Sequence, residues 1–172
     1  IRQEKDKSAR NLLKQSLPAI CFSGMFTKRT DSAISEHSGL ICLDFDGYKT
    51  NKDMLQEKER LSKDKHVYSV FISPSGNGLK AVVKIPTEVD DHKKYFKSLE
   101  IHFNSPNFDK TSKNISRVCY ESYDPLIYIN DLSSIWEKIE EVEYHEVIKH
   151  KDRPTIPITN ENKIVEILLK WW

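Results

Sequence analysis

The stretch Leu40-Ile41-Cys42-Leu43-Asp44-Phe45-Asp46-Gly47-Tyr48 constrains this chain more than any other. Its bulky apolar run predicts a buried strand, and paired carboxylates follow one residue apart at the carboxyl end. Side chains along a strand alternate faces, which puts Asp44 and Asp46 on one side and Phe45 on the other. Like charges held that close repel, and burial sharpens the repulsion. The pair is stable if a proton is shared, if water reaches both groups, or if a cation lies between them. Oxygen ligands of this kind suit Mg²⁺ or Mn²⁺, so the stretch is a candidate floor of a metal site. The plainer reading is a strand that ends in a polar turn reversed at Gly47.

The chain has 172 residues, which predicts one domain with at most a small appendage. Hydrophobic residues at 38% and charged residues at 31% describe a soluble globular protein with enough apolar matter for a core. A net charge of +1 removes any whole-molecule attraction to nucleic acid or anionic lipid. Such binding must come from a local patch. No apolar run is long enough to span a bilayer, so no membrane partner is expected, and the start is not a signal peptide. Cys21, Cys42 and Cys119 are far apart and odd in number, which predicts reduced core thiols and a cytoplasmic setting.

Residues 2–15 read as a charged surface helix, and Ala19-Ile20-Cys21-Phe22-Ser23 as a short strand. A polar loop from Thr27 to His37 carries Lys28 and Arg29, a basic pair that is either a solvated loop or a contact for nucleic acid. Thr50-x-x-Asp53 opens a helix at about 52–63. Strands follow at His66–Ser73 and Leu79–Ile85, the latter with Lys80, Val82 and Lys84 on one face. Asp90 or Asp91 caps a helix carrying Tyr95, Phe96, Leu99 and Phe103. Strands are expected at 117–122 and 126–130, then a helix behind Ser134-x-x-Glu137. Residues 149–157 are charged and Pro-containing. Behind them Ile164, Ile167, Leu168 and Trp171 form one helical face. The expected division is a domain at 1–148 and, at 149–172, a linker with the first helix of a domain that continues past Trp172.

Two further stretches carry chemistry. Ser73-Pro74-Ser75-Gly76-Asn77-Gly78-Leu79-Lys80 lets backbone N–H groups converge at Gly76 and Gly78, adds the Ser73 and Ser75 hydroxyls, and ends on a lysine suited to phosphate. A glycine-containing hairpin without a ligand is the plainer alternative. Phe108-Asp109 supplies a further carboxylate, and Arg117, at the entry to a strand, supplies a guanidinium fork for phosphate.

In this order the motifs resemble the archaeo-eukaryotic primase (primase-polymerase) superfamily. Closer in, H-S-G-L-I-C-L-D-F-D, S-P-S-G-N-G-L-K and S-R-V-C-Y-E-S-Y-D-P-L-I-Y-I-N resemble its bacterial mobile-element branch, the VirE N-terminal-like domain family. The resemblance covers about residues 17–135. It implies an α/β (α+β) fold with an RRM-like, mostly antiparallel sheet flanked by helices. It also implies a template-directed nucleotidyltransferase of the DNA primase/polymerase type, from a mobile element or phage. Asp44, Asp46 and Asp109 would be the catalytic metal ligands, holding Mg²⁺ or Mn²⁺. Ser73, Ser75, Gly76, Gly78, Lys80 and Arg117 would hold the nucleoside triphosphate. Lys28, Arg29 and Tyr48 are candidate contacts to DNA, as single-stranded template or primer-template. A helicase or helical primase domain C-terminal in the same chain is the implied partner. Lys80 stands where the family's second motif carries His, which keeps the charge but not the imidazole geometry.

The chemistry fits such an enzyme on its own terms, because phosphoryl-type transfer asks a protein mainly for positioning and charge neutralisation. Two metals would activate the 3′-hydroxyl and stabilise the leaving pyrophosphate. A catalytically inactive module that binds single-stranded nucleic acid or nucleotide is the main alternative, with Tyr48 and Tyr120 as stacking platforms. Leu-Asp-Phe-Asp-Gly also resembles the first motif of haloacid-dehalogenase-type phosphatases. Tyr48 follows the glycine where that family has Thr or Val, and its later paired acids are missing.

Overall fold

The computed structural model describes residues 1–139. The predicted linker at 149–157 and the closing helix with Trp171 lie outside the described residues.

In chain order the elements are α1 (Lys7–Gln15), β1 (Ala19–Ile20), β2 (Gly24–Phe26), β3 (Ile34–His37), β4 (Leu40–Phe45), α2 (Asn51–Ser62), β5 (Val67–Ile72), β6 (Leu79–Lys84), α3 (His92–Phe103), β7 (Cys119–Tyr120) and β8 (Tyr128–Ile129). The main sheet is antiparallel and four-stranded in the order β4-β6-β5-β8, and two small ribbons pair β1 with β7 and β2 with β3. Because β6 lies between β4 and β5, α2 carries the chain across a split β-α-β unit. The fold is α+β with antiparallel pairing, as expected.

Strand alternation builds both faces of this sheet. Ile41, Leu43 and Phe45 of β4, Leu79, Ala81 and Val83 of β6 and Val70 of β5 join Met54 and Leu61 of α2 and Phe96 and Leu99 of α3 in the main core. Cys42, Phe71 and Val82 belong to a second, smaller cluster, completed by Cys119 from β7. All three cysteines are free thiols.

The predicted capping box forms: the Thr50 hydroxyl accepts from Asp53 N at 3.1 Å, and Thr50 N donates to the Asp53 carboxylate at 3.2 Å. Replacing Thr50 with alanine is expected to cost about 1 kcal/mol of stability, read from urea unfolding.

Buried His37 and His92 pair at 3.1 Å between Nε2 and Nδ1. Gly39 N donates to His37 Nδ1 at 3.0 Å, which leaves the proton on His37 Nε2 to donate to His92. Burial, then repulsion from His37, holds the His92 imidazole down at about 4. An unfolded histidine takes its proton near 6.5, whereas folded His92 stays neutral down to about 4. Its contribution is therefore complete above pH 6.5 and is lost as pH falls toward 4, at up to about 1.4 kcal/mol per pH unit. Denaturant unfolding between pH 7 and 5 should show this slope, flattened by His92→Gln.

The helix predicted behind Ser134 does not form within 133–139. Ser134 N donates to Lys65 O at 2.9 Å and Trp136 N to Lys84 O at 2.7 Å, so the donors a helix would use bind the sheet's surroundings. The Trp136 indole is buried, donating to Ser98 Oγ at 3.2 Å. Tertiary burial overrides the local cap. Asp91 precedes α3 but makes no capping bond, and pairs with Lys94 instead. The strands predicted at 19–23, 117–122 and 126–130 shrink to two residues each, while the β2–β3 ribbon occupies part of what reads as a polar loop.

Candidate functional site

Sheet register joins the first two motifs. Asp44 on β4 stands directly opposite Lys80 on β6. Lys80 Nζ donates to Asp44 Oδ1, and Arg117 donates to Asp44 Oδ2 through Nε at 3.2 Å and Nη2 at 2.7 Å. Asp44 is 4% exposed and Lys80 8%, so this is a desolvated cluster with both carboxylate oxygens engaged. Asp46, past the strand end, is exposed and lines the same pocket as Asp44.

The third motif arrives by backbone pairing at the end of β4. Asp46 N donates to Asn107 O and Asp109 N to Asp44 O, both at 2.8 Å, around a Phe45–Phe108 bridge. Phe108 is buried edge-to-face against Phe45, with ring centroids 5.2 Å apart, and it anchors the loop in the core. This anchoring explains a hydrophobic residue directly before the acid. Asp109 Oδ1 accepts from Thr111 N and Oγ1, and Oδ2 lies 3.5 Å from Arg117 Nη2. Asp109 therefore reaches Asp44 through a shared arginine and does not line the pocket itself.

Between β5 and β6, Ser73 N donates to Gly78 O at 2.8 Å and Gly76 N to Ser73 O at 2.9 Å. These donors close the turn rather than opening onto a ligand, which narrows the expected anion nest. Ser73, Ser75 and Asn77 line the pocket, whereas Gly76 and Gly78 do not. Gly76 supplies a left-handed turn at φ 78°. Gly78 serves by what it lacks: a Cβ there would lie 2.1 Å from Asp46 Oδ1 and 2.9 Å from Phe45 O. Gly78→Ala should cost about 1–3 kcal/mol by overpacking, visible in a thermal melt, and should push Asp46 out of position.

The pocket has a volume of about 590 Å³ and draws cations from several elements: Lys7, Arg10 and Lys14 of α1, then Arg29, Lys80 and Arg117. Its acids are Asp44 and Asp46. Among the described residues Lys7, Arg10, Lys14 and Arg29 form no ion pair, so the pocket has uncompensated positive charge. The α1 cations belong to what reads in sequence as a charged surface helix with no assigned role. Their i, i+3, i+7 spacing puts them on one helix face and was the available signal. Lys28 does not line the pocket, unlike Arg29. Tyr48 lies elsewhere, packed against the main core, with its hydroxyl buried and without a hydrogen-bond partner among the described residues.

Charge coupling runs through the site. Desolvation, then repulsion by Asp44 and Asp109, pushes the Asp46 carboxyl up. Burial and neighbouring Arg10 lower Lys14. Burial alone would lower Lys80, but its ion pair with the Asp44 carboxylate outweighs that and raises it. An anion added beside the lysines, or a cation added beside Asp46, would relieve these strains.

For a divalent metal the oxygen donors have the right hardness. Asp46 offers free carboxylate oxygens at the pocket, while Asp44 becomes a ligand only if Lys80 or Arg117 gives it up. Among the described residues no three His, Cys, Asp or Glu side chains gather around one point. The hard donors at this pocket are therefore Asp46, which is free among the described residues, and Asp44, which is held by Lys80 and Arg117, while Asp109 is paired with Arg117 outside it.

No curated protein and no solved structure matches the chain. A family model described as BT4734-like, N-terminal domain, matches residues 12–129, a span that holds each motif of this pocket, and the chain belongs to that family.

Proposed function

We propose that the pocket binds a nucleoside triphosphate and that the protein is a template-directed nucleotidyltransferase of the DNA primase/polymerase type, belonging to a mobile element or phage. One observation carries this reading: Asp44, Lys80 and Arg117, separated by 36 and 73 residues in sequence, meet in one cation-rich pocket beside Asp46 and the serine hairpin. Lys80, Arg117 and the α1 cations neutralise the phosphates, with Ser73 and Ser75 as hydroxyl donors. Asp46 and Asp44 would hold Mg²⁺ or Mn²⁺, whose chemistry is to lower the charge on the reacting phosphate. Asp109 orients Arg117. The split β4-α2-β5 unit around β6 supports the RRM-like reading of the fold, although β8 joins the sheet beside β5 and not beside β4. Single-stranded template DNA and a C-terminal helicase or primase domain are the partners proposed with it.

The second reading is a nucleotide-binding or single-strand-binding module without turnover. It is favoured by the engagement of both Asp44 oxygens with cations. The same engagement argues against the phosphatase alternative, which needs Asp44 free as nucleophile. Incorporation of a labelled nucleotide on a single-stranded template, with Mg²⁺ or Mn²⁺ and with chelator, decides between them. Metal-dependent extension supports the enzyme; retained nucleotide binding without extension supports the module.

A further inference from the structure

An apolar groove of about 570 Å³ adjoins the polar pocket, between the β1–β7 ribbon and the outer face of β5. Ile20, Phe22, Tyr68, Phe71, Tyr120 and Ile129 are among its walls. Tyr120 lines both cavities, so the two are neighbours that share a wall residue. Phe71 in the groove is the direct cross-strand partner of Lys80 in the pocket. Directly opposed residues have Cα atoms about 4.5–5.5 Å apart, so the aromatic floor begins one strand away from the ammonium assigned to phosphate.

The charges of the two cavities are opposite in character. Among the described residues no lysine or arginine lines the groove, and its acids are Glu121 and Asp124. Asp124 is already committed to Lys58 at 2.6 Å and to the amides of Ile72 and Leu126. The groove therefore disfavours phosphate and favours a flat, neutral, apolar group. The Phe22 and Phe71 rings, with centroids 6.4 Å apart and tilted at 45°, offer it aromatic surface.

We propose that this groove holds the base of the nucleoside triphosphate whose phosphates sit at Lys80 and Arg117. The proposal rests on the triphosphate reading above. It adds that the protein, and not only a template strand, contributes affinity for the base. Stacking on aromatic side chains and burial of the ring supply that affinity.

Calorimetric titration of the whole chain with ATP and, separately, with inorganic tripolyphosphate, both in Mg²⁺, tests it. ATP should bind on the order of 10-fold more tightly than tripolyphosphate. Phe22→Ala and Ile129→Asn should each remove that advantage while leaving tripolyphosphate affinity unchanged. Ile129 is 54% exposed, so its variant keeps the core and decides the matter if Phe22→Ala does not fold. Equal affinity of the two ligands for the unmodified protein overturns the base assignment alone. An ATP advantage that survives both substitutions also overturns it, placing the base elsewhere. Binding of neither ligand overturns the base assignment together with the triphosphate reading beneath it.

Discussion

Asp44→Ala is expected to lower the unfolding free energy by about 3–5 kcal/mol, because removing one partner of a buried pair leaves the other charge desolvated and unpaired. The partner at greatest risk is Lys80, which is also buried and has no other hydrogen-bond acceptor among the described residues. Arg117 is less affected, since its side chain is 36% exposed and retains Asp109. Adding Lys80→Met should recover part of the loss, because an apolar side chain in the same space carries no desolvation penalty. Urea unfolding of both single variants and the double variant gives the coupling energy. Independent, additive losses would mean that the cluster is not the electrostatic unit its geometry describes.

That structural role makes Asp44 an ambiguous probe of function, since an inactive Asp44 variant could simply be unfolded. Asp46 is the sharper one. The residue is exposed overall, and its carboxylate accepts no hydrogen bond among the described residues. Desolvation and the charges of Asp44 and Asp109 already disfavour its ionised form. Asp46→Asn therefore keeps or slightly raises stability at neutral pH. On the nucleotidyltransferase reading it removes a direct metal ligand. Even residues one step behind a metal cost about 10–100-fold when replaced, so incorporation should fall by about 100-fold or more. An Asp46→Asn protein with unchanged melting and unchanged incorporation would remove the metal from this pocket.

Much of the site was legible because its parts report on local physics. Two carboxylates spaced by one on a strand must share a side, and β4 places Asp44 and Asp46 on one pocket although Asp46 falls beyond the last strand residue. The buried Phe108 explains why the residue before Asp109 is hydrophobic. What escaped depends on tertiary placement. The apolar residues of α1, Leu12 and Leu13, are exposed, so periodicity says nothing of where α1 docks or that its cations face the pocket. The sequence also does not say that Lys80 and Arg117, whose chemistry suits phosphate, rest on Asp44. At Ser134 a sound capping signal lost to Trp136, whose burial draws the chain along the end of β6.

The most direct test of the metal-dependent triphosphate site is a calorimetric titration of a deoxynucleoside triphosphate into the protein in Mn²⁺ and in chelator, repeated with Asp46→Asn. Binding at least about 10-fold tighter in Mn²⁺, with that gain absent from the variant, is the predicted result. Affinity indifferent to the metal, or to residue 46, would contradict it.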